Sequence, residues 1–226
     1  MTPETLWIRI RGLLTLDPTD PGWRAKHRRL RQDLHRTEVQ CHCAEYLFLD
    51  AYASYMFRPD DDTTPSGDRG LTGPQRADAL LPAVLALDPT HTGALMTLGY
   101  RRYDQLRYAE ALPLFERADE SDLEPEHQAR RLEMMAACRI MLDDVEKARG
   151  ALVALSTLFQ TIPPPEYEPL NLSLLVASLV DAGDITRLGA LRDELLRLDT
   201  IGGFSWFANE LDRATPSPGA DDDSVT

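Results

Sequence analysis

The residue types raise metal chemistry first. In HRTEVQCHCAE at 35–45, a helix would bring His35, Glu38, His42 and Glu45 within about 80° of one another at 100° per residue. Histidine and carboxylate three residues apart is a spacing that helical metal sites use. One helix supplies half a site at most, and the other histidines, His27, His91 and His127, are scattered. The competing reading is a solvated polar stripe with His–Glu contacts along one helix, so no metal is expected. Cys41 and Cys43 lie beside the stripe but point to other faces. Elsewhere there is no G-x-S-x-G elbow, phosphate-cradling P-loop, G-x-G-x-x-G, C-x-x-C or H-E-x-x-H. The expectation is a chain without cofactor and without enzymatic activity, with a metal-dependent helical enzyme the last of the readings.

Helices must hold whatever surface does the work. TGALMTLGYRRYDQLRYAEALPLFERA at 92–118 reads as a helix, a turn and a second helix. Residues three and four apart share a helix face, so Leu95, Leu98 and Gly99 form one side of the first, and Ala111, Phe115 and Ala118 one side of the second. Gly99 and Ala111 carry almost no side chain, so two backbones can approach until Phe115 fills the gap. Ala111→Leu would overpack that contact at a cost of roughly 1–3 kcal/mol.

One such hairpin cannot bury its faces alone, and copies of the pattern flank it. Ala77, Leu81 and Val84 stand 34 residues before Ala111, Phe115 and Ala118 (111 − 77 = 34). Leu132, Met135, Ala136, Ala148, Leu152 and Leu155 follow at a shift of 37 (148 − 111 = 37), and a weaker copy, Leu172, Leu175, Val176, Leu188 and Leu195, at a further 40 (188 − 148 = 40). The leading copy takes its first helix from AEYLFLDAYASYMF at 44–57, separated from the second by RPDDDTTPSGDRGLTGP at 58–74. That insert is polar, acidic and rich in Pro and Gly, which predicts a mobile loop, with a functional lid as the alternative. Pro82 and Pro113 fall inside second helices, where each removes a backbone hydrogen bond and should bend the helix.

The order of small and large residues at these shifts resembles the tetratricopeptide repeat, whose period is about 34. The resemblance implies an all-α superhelix of helical hairpins, an α-α solenoid, with about four repeats over 44–201. Residues 1–43 then form an N-terminal helical cap, 202–213 a C-terminal capping helix, and 214–226 a disordered acidic tail. In the cap, Thr2 and Pro3 should open a helix whose Leu6, Ile10, Leu13 and Leu14 face inward. A second helix should start near Asp20-Pro21 and run, with a break around 36, towards Phe57. Phe204, Trp206 and Phe207 give the last segment an apolar face for capping, or alternatively for a partner or dimer contact.

Proteins of this family bind in the concave groove lined by the first helix of each repeat. Carried over by position, the resemblance places Phe48, Tyr52, Tyr55, Met96, Tyr100, Tyr103, Arg130, Glu133, Ala137 and Ile140 on that side. A peptide or helix with apolar anchors suits such a surface, since tyrosine offers large contact area and a polar tip. For Phe48, Tyr52 and Tyr55 the alternative is ordinary core packing against the N-terminal helices. Some relatives grip a C-terminal carboxylate with Lys and Asn; Met96, Tyr100, Glu133 and Ala137 stand in the corresponding places, so a heat-shock tail is not the expected ligand.

Charge is uneven. The chain has 226 residues and a formal net charge of −13, yet residues 1–36 hold eight Lys/Arg against four Asp/Glu, most of the excess in RAKHRRLRQDLHR at 24–36. Aromatic interleaving is missing there and the acidic remainder would repel phosphate, which argues against nucleic acid; a solvated helix face or an internal contact is expected. No run of 18 apolar residues predicts a membrane span, the N-terminus lacks a secretion signal, and the three cysteines give no disulfide framework. A cytoplasmic chain is expected. The functional expectation is a protein-binding adaptor or chaperone, its size and acidity similar to those of tetratricopeptide secretion chaperones that keep a client soluble. The alternative is an immunity-like or antitoxin-like inhibitor of a basic enzyme, held by electrostatic complementarity.

Overall fold

Among the residues described by the computed structural model (2–16, 21–40, 43–57, 73–159, and 183, 184, 186, 187, 189–191 and 193), eight α-helices follow one another and no strand occurs. The chain divides into two units, Met1–Gln105 and Leu106–Thr226. No helix among the described residues is long and apolar enough to cross a membrane.

The first unit opens with α1 (Pro3–Leu14). The Thr2 hydroxyl accepts from the Thr5 N–H at 3.3 Å, and Pro3 occupies the first turn, where its missing N–H costs nothing. Leu6, Ile10 and Leu13 are buried. Leu14, expected inward, is 40% exposed, because it lies another 100° round the helix from Leu13.

In α2 (Pro21–Gln40), Trp23, His27, Leu30 and Leu34 recur at three and four residues. The Trp23 ring stacks on His27 at 4.9 Å, and both rings meet Phe57 edge-on. Trp23 Nε1–H donates to the Leu13 carbonyl at 3.3 Å, tying α2 to the end of α1. These residues join Leu49 and Ala53 of α3 (Ala44–Met56) in one core. The opposite face shows Lys26, Arg28, Arg29 and Arg36 to solvent, so most of the basic run is the wet side of an amphipathic helix. Arg31 is the exception and turns inward. The break expected near 36 falls after Gln40 instead.

Behind α3 lies α4 (Gly73–Leu87), which passes through an exposed Pro82, and then α5 (Thr92–Asp104). Glu45 meets His91 near the start of α3 and α5, and Tyr55 meets Asp104 near their ends; the two helices therefore run parallel. Asp78, early in α4, bonds Arg101 and Gln105 at the far end of α5, so α4 runs antiparallel to both.

In the second unit α6 (Tyr108–Arg117) leads through a single 3-10 turn (Glu120–Asp122) to α7 (Pro125–Met141), which packs against both α6 and α8 (Val145–Phe159). Position between two neighbours explains why α7 is buried round most of its circumference, at Ala129, Glu133, Met134, Ala136, Ala137, Cys138 and Ile140. Arg131 of α7 donates to the Phe115 carbonyl at 2.7 Å, satisfying an orphan acceptor at the end of α6.

The hydrophobic frame read from the sequence is core. Leu47, Ala51, Ala77, Leu81, Val84, Leu95, Leu98, Gly99, Ala111, Phe115, Ala118, Ala136, Ala148, Leu152 and Leu155 are buried, and only Leu132 and Met135 are half-buried. Gly99 and Ala111 fall in different units. The helical turns repeat as well. Outside glycine, positive φ occurs among the described residues at Leu106 (59°) and Asp143 (60°), and Gly183 follows at 65°, spaced by 37 and 40 residues, the shifts of the hydrophobic frame. At Asp143 the turn is fully bonded: the Asp143 N–H reaches the Ile140 carbonyl at 3.0 Å and the Asp144 N–H the Arg139 carbonyl at 2.8 Å, the double closure of a Schellman end.

The insert from 58 to 72, the fourth copy's Leu172, Leu175, Val176, Leu188 and Leu195, and the segments 202–213 and 214–226 lie outside the described residues. Gly73 and Pro74, assigned to the insert, begin α4.

Candidate functional site

Of the residues assigned to the groove, those on α7 offer little surface. Glu133 and Ala137 are 0% exposed and Ile140 is 1% exposed, while Arg130 faces solvent. Met96 is also buried. Phe48 is buried with its ring 4.6 Å from His91 and against Gly93. Tyr52 is half-buried and lies between Phe48, at 5.8 Å, and Trp7 of α1, at 5.2 Å. The N-terminal helices thus receive Tyr52, and α5 receives Phe48.

Where α3 and α5 run side by side, the structure brings Tyr55 to Asp104 and Arg101, and Tyr100 and Tyr103 lie on the same last turns of α5. Tyr55, Tyr100 and Tyr103 are half-buried. The Tyr55 hydroxyl donates to Asp104 Oδ2 at 3.2 Å, and the Arg101 guanidinium sits 5.7 Å over the Tyr55 ring. Tyr100 precedes Asp104 by four residues and so shares its face of α5. Asp78 fixes this end from behind: it accepts from Arg101 Nε at 3.2 Å and Nη2 at 2.7 Å, and from Gln105 at 3.0 Å. A two-point guanidinium–carboxylate contact of this kind holds Arg101 in one geometry. The outcome is an aromatic surface with an exposed carboxylate, Asp104, beside it.

At the opposite end His91 positions the start of α5. Its Nδ1 accepts from the Ala94 N–H at 3.2 Å, acting as the helix cap, while Nε2 faces Glu45 Oε2 at 3.3 Å. Glu45 therefore pairs with α5. His42 and the side chains of His35 and Glu38 lie outside the described residues, and among the described residues no three His, Cys, Asp or Glu cluster in a way that could hold a metal.

The sequence reading missed the charged centre of the first unit. Asp50, 1% exposed on α3, accepts from Arg31 Nη1 of α2 at 3.0 Å and from Arg76 Nε of α4 at 3.2 Å, with Arg76 Nη2 and the Ser54 hydroxyl also in contact. One carboxylate thereby joins three helices. The signal was a lone acid in the apolar run LFLDAYA, but its partners lie 19 and 26 residues away. Cys138, buried in α7, is pushed up to about 12 chiefly by burial, so it stays a neutral thiol and a poor nucleophile at neutral pH.

The chain matches no family model, no curated protein and no solved structure.

Proposed function

We propose that this protein is an adaptor or chaperone that captures a partner polypeptide on the surface shared by α3 and α5, as the resemblance to tetratricopeptide repeats implies. The observation that carries the reading is the parallel run of these two helices, with half-buried Tyr55, Tyr100 and Tyr103 at one end and Asp104 exposed among them. Tyrosine rings provide contact area at small conformational cost, and their hydroxyls bond a partner's backbone. The fitting partner is a segment with an apolar or aromatic anchor next to a basic residue, the base meeting Asp104 and being drawn in by a chain of net charge −13.

Affinity capture with the full chain, beside Tyr100→Ala and Tyr103→Ala forms with unchanged circular dichroism, tests this. A specific partner should be recovered by the native chain and lost by at least one variant. Its retention should survive an increase from low to moderate ionic strength, because apolar anchors are not screened. Partners retained in full by both variants would remove the assignment, and association that collapses with salt would favour the inhibitor of a basic enzyme.

A further inference from the structure

A second feature of the first unit stands apart from the tyrosine surface. Arg9, Gly12, Leu13 and Leu16 on one side and Lys26 and Arg29 of α2 on the other line a cleft of about 370 Å³, at the lower end of the size of small-molecule sites. Leu13 is 4% exposed and Leu16 half-buried, which gives the cleft an apolar part. Asp33 holds Arg9 Nη1 at 2.7 Å and offsets one cation. Lys26 and Arg29, three residues apart on one face of α2, are exposed and form no ion pair among the described residues. The lining therefore carries two positive charges without an ion-pair partner among the described residues, on a chain whose net charge is −13. Gly12 belongs to the same lining, and a Cβ placed there would meet nothing within 4 Å, so packing does not demand a glycine that weakens the helix.

We propose that this cleft binds a small organic phosphate monoester. The phosphate carries close to two negative charges at neutral pH, matching Lys26 and Arg29, and the apolar body lies on Leu13 and Leu16. A polyanion is disfavoured by the acidity of the remaining chain, whereas a small ester meets only the basic cleft.

Isothermal titration of the full chain with phenyl phosphate tests the assignment, with phosphatidic acid in phosphatidylcholine vesicles run beside it to tell a soluble ester from a lipid headgroup. Saturable binding of one of the two is expected, with inorganic phosphate and phenol each weaker by at least about tenfold. Gly12→Leu fills the cleft without a backbone clash and favours the helix; Lys26→Glu with Arg29→Glu reverses its charge at exposed positions. Each should weaken binding by at least about tenfold with circular dichroism unchanged. The proposal falls if neither probe binds, if inorganic phosphate matches phenyl phosphate, or if both folded variants bind as the native chain does.

Discussion

Asp50 ties three helices of the first unit through one side chain. Its carboxylate lies 1% exposed between Arg31 and Arg76, and desolvating three charges is repaid only while all three stay paired. Asp50→Ala leaves two guanidinium groups facing a cavity and should cost about 3–5 kcal/mol, measured by urea unfolding. Asp50→Leu combined with Arg31→Met and Arg76→Met removes the desolvation penalty along with the pairing, and should recover most of that loss. Equal stability of Asp50→Ala and the native chain would mean that the cluster is not the tie between α2, α3 and α4. The local sequence offers a lone acid in an apolar run but not its partners, since periodicity identifies apolar stripes and a buried acid is chosen by partners on other helices. The same limit explains Glu133: the resemblance placed it on the groove side of α7, yet α7 is packed on two neighbours and buries it.

At the scale of elements, helix contacts and turns were legible to different degrees. Nearly every described position of the frame of Leu, Ala and Phe at three- and four-residue spacing is core, because a helix face is a local property, but other buried residues such as Leu30, Leu49 and Met134 lay outside it. Which small residue permits close approach was harder to read. Gly93 is a glycine on which the Phe48 ring rests: a Cβ there would lie 2.6 Å from Phe48 Cζ. Gly93→Ala should therefore destabilise by about 1–3 kcal/mol despite the better helix propensity of alanine, and calorimetry of the variant checks this. The turns carry the opposite sign. Leu106 is held at φ 59° and is 71% exposed, so it bears the cost of a left-handed conformation while burying little. Leu106→Gly should raise stability by about 1 kcal/mol. Asp143→Gly should gain less, since Asp143 also accepts from Arg187 Nε and Nη2 at 3.1 and 3.0 Å. A Leu106→Gly form that melts below the native chain would show that its side chain contributes more than its backbone costs. The spacing of these turns matches the shifts of 37 and 40 in the hydrophobic frame, but the handedness of Leu106 and Asp143 has no signature in residue type.

For the molecule as a whole, charge and turns combine in the response to acid. Four aspartates at helix ends have carboxyls held below the ordinary range: Asp88 by the Thr90 hydroxyl and N–H, Asp119 by the Ser121 N–H and hydroxyl, Asp144 by the Lys147 ammonium and N–H, and Asp184 by the Arg187 N–H and guanidinium. A depressed folded value means that the contribution is complete above the unfolded value of about 4 and is lost as pH falls through the folded one. Net charge acts on the same axis. Descending towards the pI of about 4.8 relieves the self-repulsion of the acidic chain, so mild acid alone should not unfold it. Below the pI the chain turns positive, repulsion grows again, and the four aspartates protonate, so both effects then destabilise. Urea unfolding should accordingly change little from neutrality to about pH 5 and fall steeply towards about pH 3. Replacing all four aspartates by asparagine keeps acceptors at the turns but removes the titration. That variant should start less stable near pH 5 and lose less on the way down. An acid limb of unchanged depth in the variant would assign the loss to overall charge and not to the turns.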